Sequence, residues 1–156
     1  MQYKVVSSLS GPIKKCVFAA TWVIKMIAIV IVAHVPLASA LAACARHVLG
    51  HEPDVEVADI LPNECASDCA PNLAQQLIAA DRGEGVLVLT DLPGATPSNI
   101  AVQASHLVQA AGVPCCVLGG VNASMLLRAI NYRQGSLEDV ATSALAGATH
   151  ALLRVD

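Results

Sequence analysis

The sequence predicts a three-layer α/β domain, a doubly wound and mostly parallel sheet with helices on both faces. Two observations carry that prediction. The short runs Ile27-Ala-Ile-Val-Ile-Val-Ala33 and Val86-Leu-Val-Leu89 are apolar at every position, as strands buried on both faces are. Between and after them lie amphipathic stretches of helical period. Regular strand–helix alternation of this kind implies parallel strands joined by right-handed crossovers.

Taken in order, a strand at 27–33 leads through His34, Val35 and Pro36 into a helix at 36–49. Leu37, Leu41, Ala45, Val48 and Leu49 form its expected apolar face, and Gly50 stops it. A strand at 54–60 (Val55, Val57, Ile60) precedes a helix at 70–81 carrying Leu73, Leu77 and Ile78. After the strand at 86–89, Thr96 as N-cap and Pro97 at the first helical position open a helix that Gly112 closes. A strand at 114–119 follows, then a helix at 123–132 capped by Asn122, and another begun by Ser136. His150–Val155 reads as a final strand. No repeat, low-complexity segment or interdomain linker interrupts the pattern, so one domain is expected.

Composition narrows the function classes. The 156 residues are 55% hydrophobic but only 3% aromatic, so the core is built from Ala, Val, Leu and Ile. A net charge of −3 offers no basic face, which argues against nucleic acid as a partner. Cys16, Cys44, Cys65, Cys69, Cys115 and Cys116 fit no paired zinc-ligand spacing. They read as small thiols in a reducing, cytoplasmic setting. Residues 1–25 form an N-terminal extension ahead of a domain at 26–156, with Met26 a plausible alternative start. Its basic–apolar pattern suggests a membrane anchor as the alternative. Against that, Lys25 interrupts the stretch, and no uninterrupted span of about 18–20 apolar residues exists.

His34 is the residue on which function turns. It stands where a buried strand hands over to a helix, and ligands of open α/β sheets bind at that carboxyl edge. If the first strand is central, with the second and third on its two sides, the crevice lies between the ends of strands one and three, where His34 and Asp91 fall. An imidazole accepts a phosphoryl group on one nitrogen when an acceptor such as Asp91 holds the other. The turn Gly94-Ala95-Thr96 opens a helix, and helix N-termini bind anions, so it would cradle that group without a metal or cofactor. No Walker or G-x-G-x-x-G sequence supports a nucleotide site. His47, His51, His106 and His150 read as solvated. The competing classes are a non-catalytic anion-binding or regulatory module using the same crevice, and a membrane-anchored version of the domain.

Three segments carry a resemblance: Met26–His34, Val86–Ala101 with Thr90-Asp91-Leu-Pro-Gly-Ala-Thr96-Pro-Ser-Asn, and Gly120-Val-Asn-Ala-Ser-Met-Leu-Leu-Arg-Ala129. In order and spacing they resemble the mannose-type IIA proteins (EIIA) of the bacterial phosphoenolpyruvate-dependent sugar phosphotransferase system, over residues 26–155. The resemblance implies a phosphorylated histidine at His34, its partnering carboxylate at Asp91 and a phosphoryl-contacting hydroxyl at Thr96. It further implies strand order 2-1-3-4 and an antiparallel fifth strand, near 150–155, exchanged across a homodimer. The implied partners are phospho-HPr as donor and a IIB protein as acceptor, the membrane being reached only through the permease. Val35, Pro93 and the pair Gly94-Ala95 depart from the family pattern beside the site, where Gly, an aromatic and Gly-Gly are common.

Overall fold

The computed structural model describes residues 25–156; residues 1–24, which hold nearly all of the expected extension and its anchor alternative, lie outside the described residues. Four parallel strands, β1 (Ala28–His34), β2 (Glu56–Ile60), β3 (Val86–Thr90) and β4 (Cys115–Leu118), form one sheet in the order β2-β1-β3-β4. Ile31 of β1 pairs with Val57 on one side and Leu89 on the other. Alternation divides the core. Ile27, Ile29, Ile31, Leu87 and Leu89 face helices α1 (Leu37–Leu49), α4 (Ala123–Tyr132) and α5 (Leu137–His150). Ala28, Val30, Val32, Val86 and Val88 face α2 (Ala66–Ala80) and α3 (Thr96–Ala110). Because both faces are covered, β1 and β3 need apolar residues at every position, which is why their sequences show no alternation. Cys115 and Cys116 separate into the two opposite core clusters, as period-two geometry requires. Among the described residues no helix is long and apolar enough to cross a membrane.

Several boundaries differ from expectation for identifiable reasons. β2 begins at Glu56 rather than at 54, because Asp54 has φ +50, a conformation no strand accepts. The buried stripe of α1 is Ala38 and Ala45, with Leu41 and Ala42 packed alongside, whereas Val48 is exposed. Small residues let this helix approach the sheet closely. Gly50 closes it as expected, its amide bonded to the Arg46 carbonyl at 2.9 Å. α2 starts at Ala66 and contains Pro71. Its first turn forms ahead of the proline, with the Cys65 carbonyl accepting from the amides of Asp68 and Cys69. The bond that Pro71 cannot make would have gone to Ser67, which is exposed and whose carbonyl water can serve.

The expected strand at 150–155 is absent from the single chain. α5 continues through His150, and residues 152–156 have no regular structure. A strand exists only by pairing, and neither edge of this four-stranded sheet pairs with the segment.

The amino-terminal edge of the sheet is closed by charge. Arg133, 9% exposed, donates through Nε and Nη2 to the Ile27 carbonyl at 3.2 and 3.0 Å, and through Nη1 to the Asp54 carbonyl at 2.8 Å. Its own carbonyl accepts from the Ile27 amide at 2.9 Å. Arg82 adds a bidentate pair with the Asp54 carboxylate at 2.8 and 2.7 Å. Loss of charge-assisted bonds to the buried Ile27 carbonyl and the part-buried Asp54 carbonyl predicts that Arg133→Ala lowers the unfolding free energy by about 2–3 kcal/mol. The more exposed Arg82→Ala is expected to cost about 1 kcal/mol or less. Urea denaturation measures both, and equal losses would mean that Arg133 does not anchor this edge.

Candidate functional site

The strand order places the carboxyl ends of β1 and β3 side by side, and the chain reverses its winding between them. His34 is the last residue of β1, and Asp91 follows the last residue of β3. The Asp91 carboxylate is 7% exposed and takes three donors. Oδ2 accepts from the His34 amide at 3.0 Å and lies 2.7 Å from His34 Nδ1, while Oδ1 accepts from the Leu92 amide at 2.7 Å. Burial alone raises the Asp91 pKa, but the bonds from the His34 amide and ring and from the Leu92 amide outweigh it and hold the carboxyl below its ordinary value. An ionised carboxylate only accepts. Nδ1 therefore carries the proton, and the lone pair of the half-exposed imidazole sits on Nε2.

Neighbouring elements fix both residues. The Val35 amide donates to the Ile60 carbonyl at 3.1 Å, which ties the chain after His34 to β2. Pro36 offers no side-chain cap to α1, and Asp59 of β2 does so instead. Its Oδ1 accepts from the amides of Ala38 at 2.9 Å and Ser39 at 3.3 Å, and its Oδ2 accepts from the Ser39 hydroxyl. Sequence reasoning missed Asp59, since it lies 21 and 20 residues beyond the Ala38 and Ser39 amides it caps and only strand pairing brings it there.

The turn after Asp91 is also repositioned. Ala95, extended at φ −78 and ψ 171, is the N-cap of α3, which makes Thr96 the first helical residue rather than the cap. The Ala95 carbonyl accepts from the Asn99 amide at 2.9 Å, and Asn99 Nδ2 donates to the Gly94 carbonyl at 3.1 Å. Gly94 has φ +85, open to it for want of a Cβ. The Ala95 amide donates to the Leu92 carbonyl at 3.0 Å and is thus engaged within the turn. Thr96 is exposed, its hydroxyl free of any capping duty.

An open cavity of about 520 Å³ beside the histidine is lined by His34, Leu37, Asp91, Leu92, Gly120 and Val121. The structure therefore brings His34 and Asp91 together on this cavity, while Gly94, Ala95 and Thr96 lie outside its lining. Gly120 and Val121 enter from the β4–α4 loop, held by bonds from their amides to the Asp91 and Thr90 carbonyls at 2.7 and 2.9 Å. The other histidines, His47, His51, His106 and His150, are exposed, and none of them lines this cavity.

A family profile described as PTS system fructose IIA component, EIIA-man, matches residues 28–145. The chain belongs to this family. The EIIA domain is thus a component of phosphoryl transfer in the sugar phosphotransferase system. Among solved structures it is similar to the phosphotransferase system component EIIA from Streptococcus agalactiae, with 27% identity and a TM-score of 0.72 over 83% of this chain and 97% of that one. It is also similar to the mannose/sorbose-specific IIA subunit from Enterococcus faecalis, with 23% identity and a TM-score of 0.72 over 83% of this chain and 95% of that one. A sigma-54 interaction domain protein from Enterococcus faecalis shares the fold at 16% identity and a TM-score of 0.68, over 82% of this chain and 94% of that one. Among curated proteins no sequence matches the chain.

Two expectations follow from this geometry. A carboxyl whose folded pKa is lowered contributes stability that is fully present above the ordinary aspartate value of about 3.9 and is lost as pH falls through the lower folded value. The stability gap between the wild-type EIIA domain and Asp91→Asn should therefore shrink below about pH 4; a gap constant with pH would mean that the three donors do not hold the charge. Loss of the α1 cap predicts that Asp59→Ala costs about 1–2 kcal/mol in denaturant titration, and no change would show the cap to be idle.

Proposed function

We propose that the domain is a phosphoryl relay that accepts a phosphoryl group from phospho-HPr on His34 Nε2 and passes it to a IIB protein. The observation that carries the reading is the 2.7 Å contact between His34 Nδ1 and a buried, ionised Asp91. In the transfer, the Nε2 lone pair attacks phosphorus, the N–P bond of the donor breaks, and its electron pair returns to the donor imidazole. His34 then holds both the Nδ1 proton and the phosphoryl group, and the positive charge on its ring lies against the Asp91 carboxylate. The same pairing eases the onward transfer, because a stabilised cationic ring is still a good leaving group. A relay must bind the phosphoryl group without trapping it.

The N-terminus of α3 supplies the positive end of a helix dipole to the incoming phosphoryl oxygens. With the Ala95 amide engaged, Thr96 through its amide and hydroxyl, together with Gly94, is the donor set that remains in this turn. Protein partners rather than a small sugar are the fitting clients of this edge. Val35, Leu37, Leu61 and Leu92 are 38–62% exposed around or beside the histidine, an apolar rim of the kind that docks another protein. Leu152, Leu153 and Val155 of the C-terminal tail are 82%, 62% and 93% exposed. They are the residues we assign to a fifth strand exchanged in a homodimer.

Incubation with phosphoenolpyruvate, enzyme I and HPr should add one acid-labile phosphoryl group by intact mass, and His34→Ala should gain none. Asp91→Asn is expected to slow the transfer about a hundred-fold or more, since the charge forming on the ring loses its counter-ion. Thr96→Ala should slow it about ten-fold, the worth of one charge-assisted hydrogen bond. Failure of the wild-type chain to gain the group from demonstrably phosphorylated HPr would end the relay reading. It would leave the crevice as an anion-binding module, which would tolerate His34→Gln.

A further inference from the structure

Asp91 is held to β1 by its side chain, yet the turn that carries it, Asp91 to Ala95, projects beyond the sheet, where strand pairing no longer restrains it. On its other side this turn meets the loop between β4 and α4. Two of the contacts are backbone bonds, from the Gly120 amide to the Asp91 carbonyl at 2.7 Å and from the Val121 amide to the Thr90 carbonyl at 2.9 Å. The third is a packing contact. A methyl group built on Gly119 would stand 2.7 Å from Pro93 Cγ, with Cδ and Cβ of the same ring at 3.5 and 3.6 Å. The Pro93 ring thus occupies the space that a side chain at Gly119 would need.

This seat has a sequence-level cause. Pro93 is locked in φ and lacks an N–H, so it donates no backbone bond to the turn. A rigid ring can be steadied only by what it packs against, and here it packs against bare backbone. Pro93 follows Asp91 by two residues, so displacement of the ring moves the Leu92 amide that holds Oδ1 and tilts the carboxylate away from Nδ1.

We propose that Gly119 is a positioning residue for the His34–Asp91 pair, acting through the seat it leaves for the Pro93 ring. Gly119 itself touches no reacting group. Its role is to let the β3–α3 turn close onto β4, so that the Asp91 carboxylate is aimed before any partner arrives. The proposal deepens the relay reading of this site and uses its chemistry only in one of the readouts below.

The test is a double-mutant cycle of Gly119→Ala and Pro93→Ala on the full chain, read by NMR. The signals are the pH titration of the Asp91 carboxyl carbon and the exchange protection of the His34 Nδ1 proton. Gly119→Ala should move the Asp91 midpoint up toward the ordinary carboxylate value and expose the Nδ1 proton to exchange. Pro93→Ala, which removes the ring without creating any clash, should do the same to a smaller extent. Added to Pro93→Ala, Gly119→Ala should have no further effect, because the methyl then fills vacated space. Phosphorylation by phospho-HPr should follow the same pattern, with Gly119→Ala slower by about ten- to a hundred-fold, as expected of a misaimed catalytic pair. The proposal is overturned if Pro93→Ala leaves both NMR signals at their wild-type values, or if Gly119→Ala acts equally in both backgrounds. A loss of thermal stability with neither signal moved would overturn it as well, making the contact merely structural. A wild-type chain that takes no phosphoryl group would sink the relay reading while leaving these NMR results to decide the positioning role.

Discussion

The Asp91 carboxylate is the point on which the site is built. A carboxylate that is nearly buried would ordinarily take up a proton, and a protonated Asp91 could no longer serve as a pure acceptor for the imidazole. Three donors prevent this, the His34 amide, the His34 ring and the Leu92 amide. Two of them come from β1 and one from the turn after β3. The charge therefore survives only where those two strands end side by side. The sheet order, the parallel register and the turn at 91–95 can all be read as conditions for that one arrangement.

The charge network and the candidate site sit at opposite edges of the sheet. At the amino-terminal edge, Arg133, Arg82 and Asp54 join the starts of β1 and β2 to the end of α4 in a network of charge-assisted bonds. At the carboxyl edge the side chains of His34, Leu37 and Leu92 reach an open cavity. The sheet between them is dry, with Ile31, Val32, Leu87 and Leu89 fully buried. Rigidity of this middle layer is what allows a histidine to be half exposed to solvent and still be aimed to within a hydrogen-bond length.

Departures from the family pattern lie beside the charge rather than on it. Val35 adds an exposed apolar group next to the histidine, and Pro93 replaces an aromatic with a ring that has found its own support. Ala95 in place of a glycine still adopts the extended conformation that an N-cap needs, and its amide turns inward to Leu92. The turn thus keeps its shape with a different set of contacts.

Much of the fold was legible because burial on both faces leaves a direct imprint on composition. The apolar runs of β1 and β3, the Gly50 stop and the Asn122 and Ser136 caps are local signals, and each stands where the sequence put it. The meeting of His34 and Asp91 was legible for a related reason, since each stands where a buried strand ends. What the sequence could not supply was anything that depends on which elements become neighbours. Asp59 caps α1 only because β2 pairs with β1, Gly119 matters only because the Pro93 ring comes to rest on it, and Pro71 is harmless inside α2 only because its turn faces water. The start of α3 slipped by one residue because the bond that defines it, from Asn99 to Ala95, is made once the turn has closed. The C-terminal segment shows the same limit, for residues 152–156 pair with no strand of this sheet. Local propensity and burial pattern are written along one chain, whereas hydrogen-bond partners and packing seats are fixed by distances through space, and those arise only when the layers assemble.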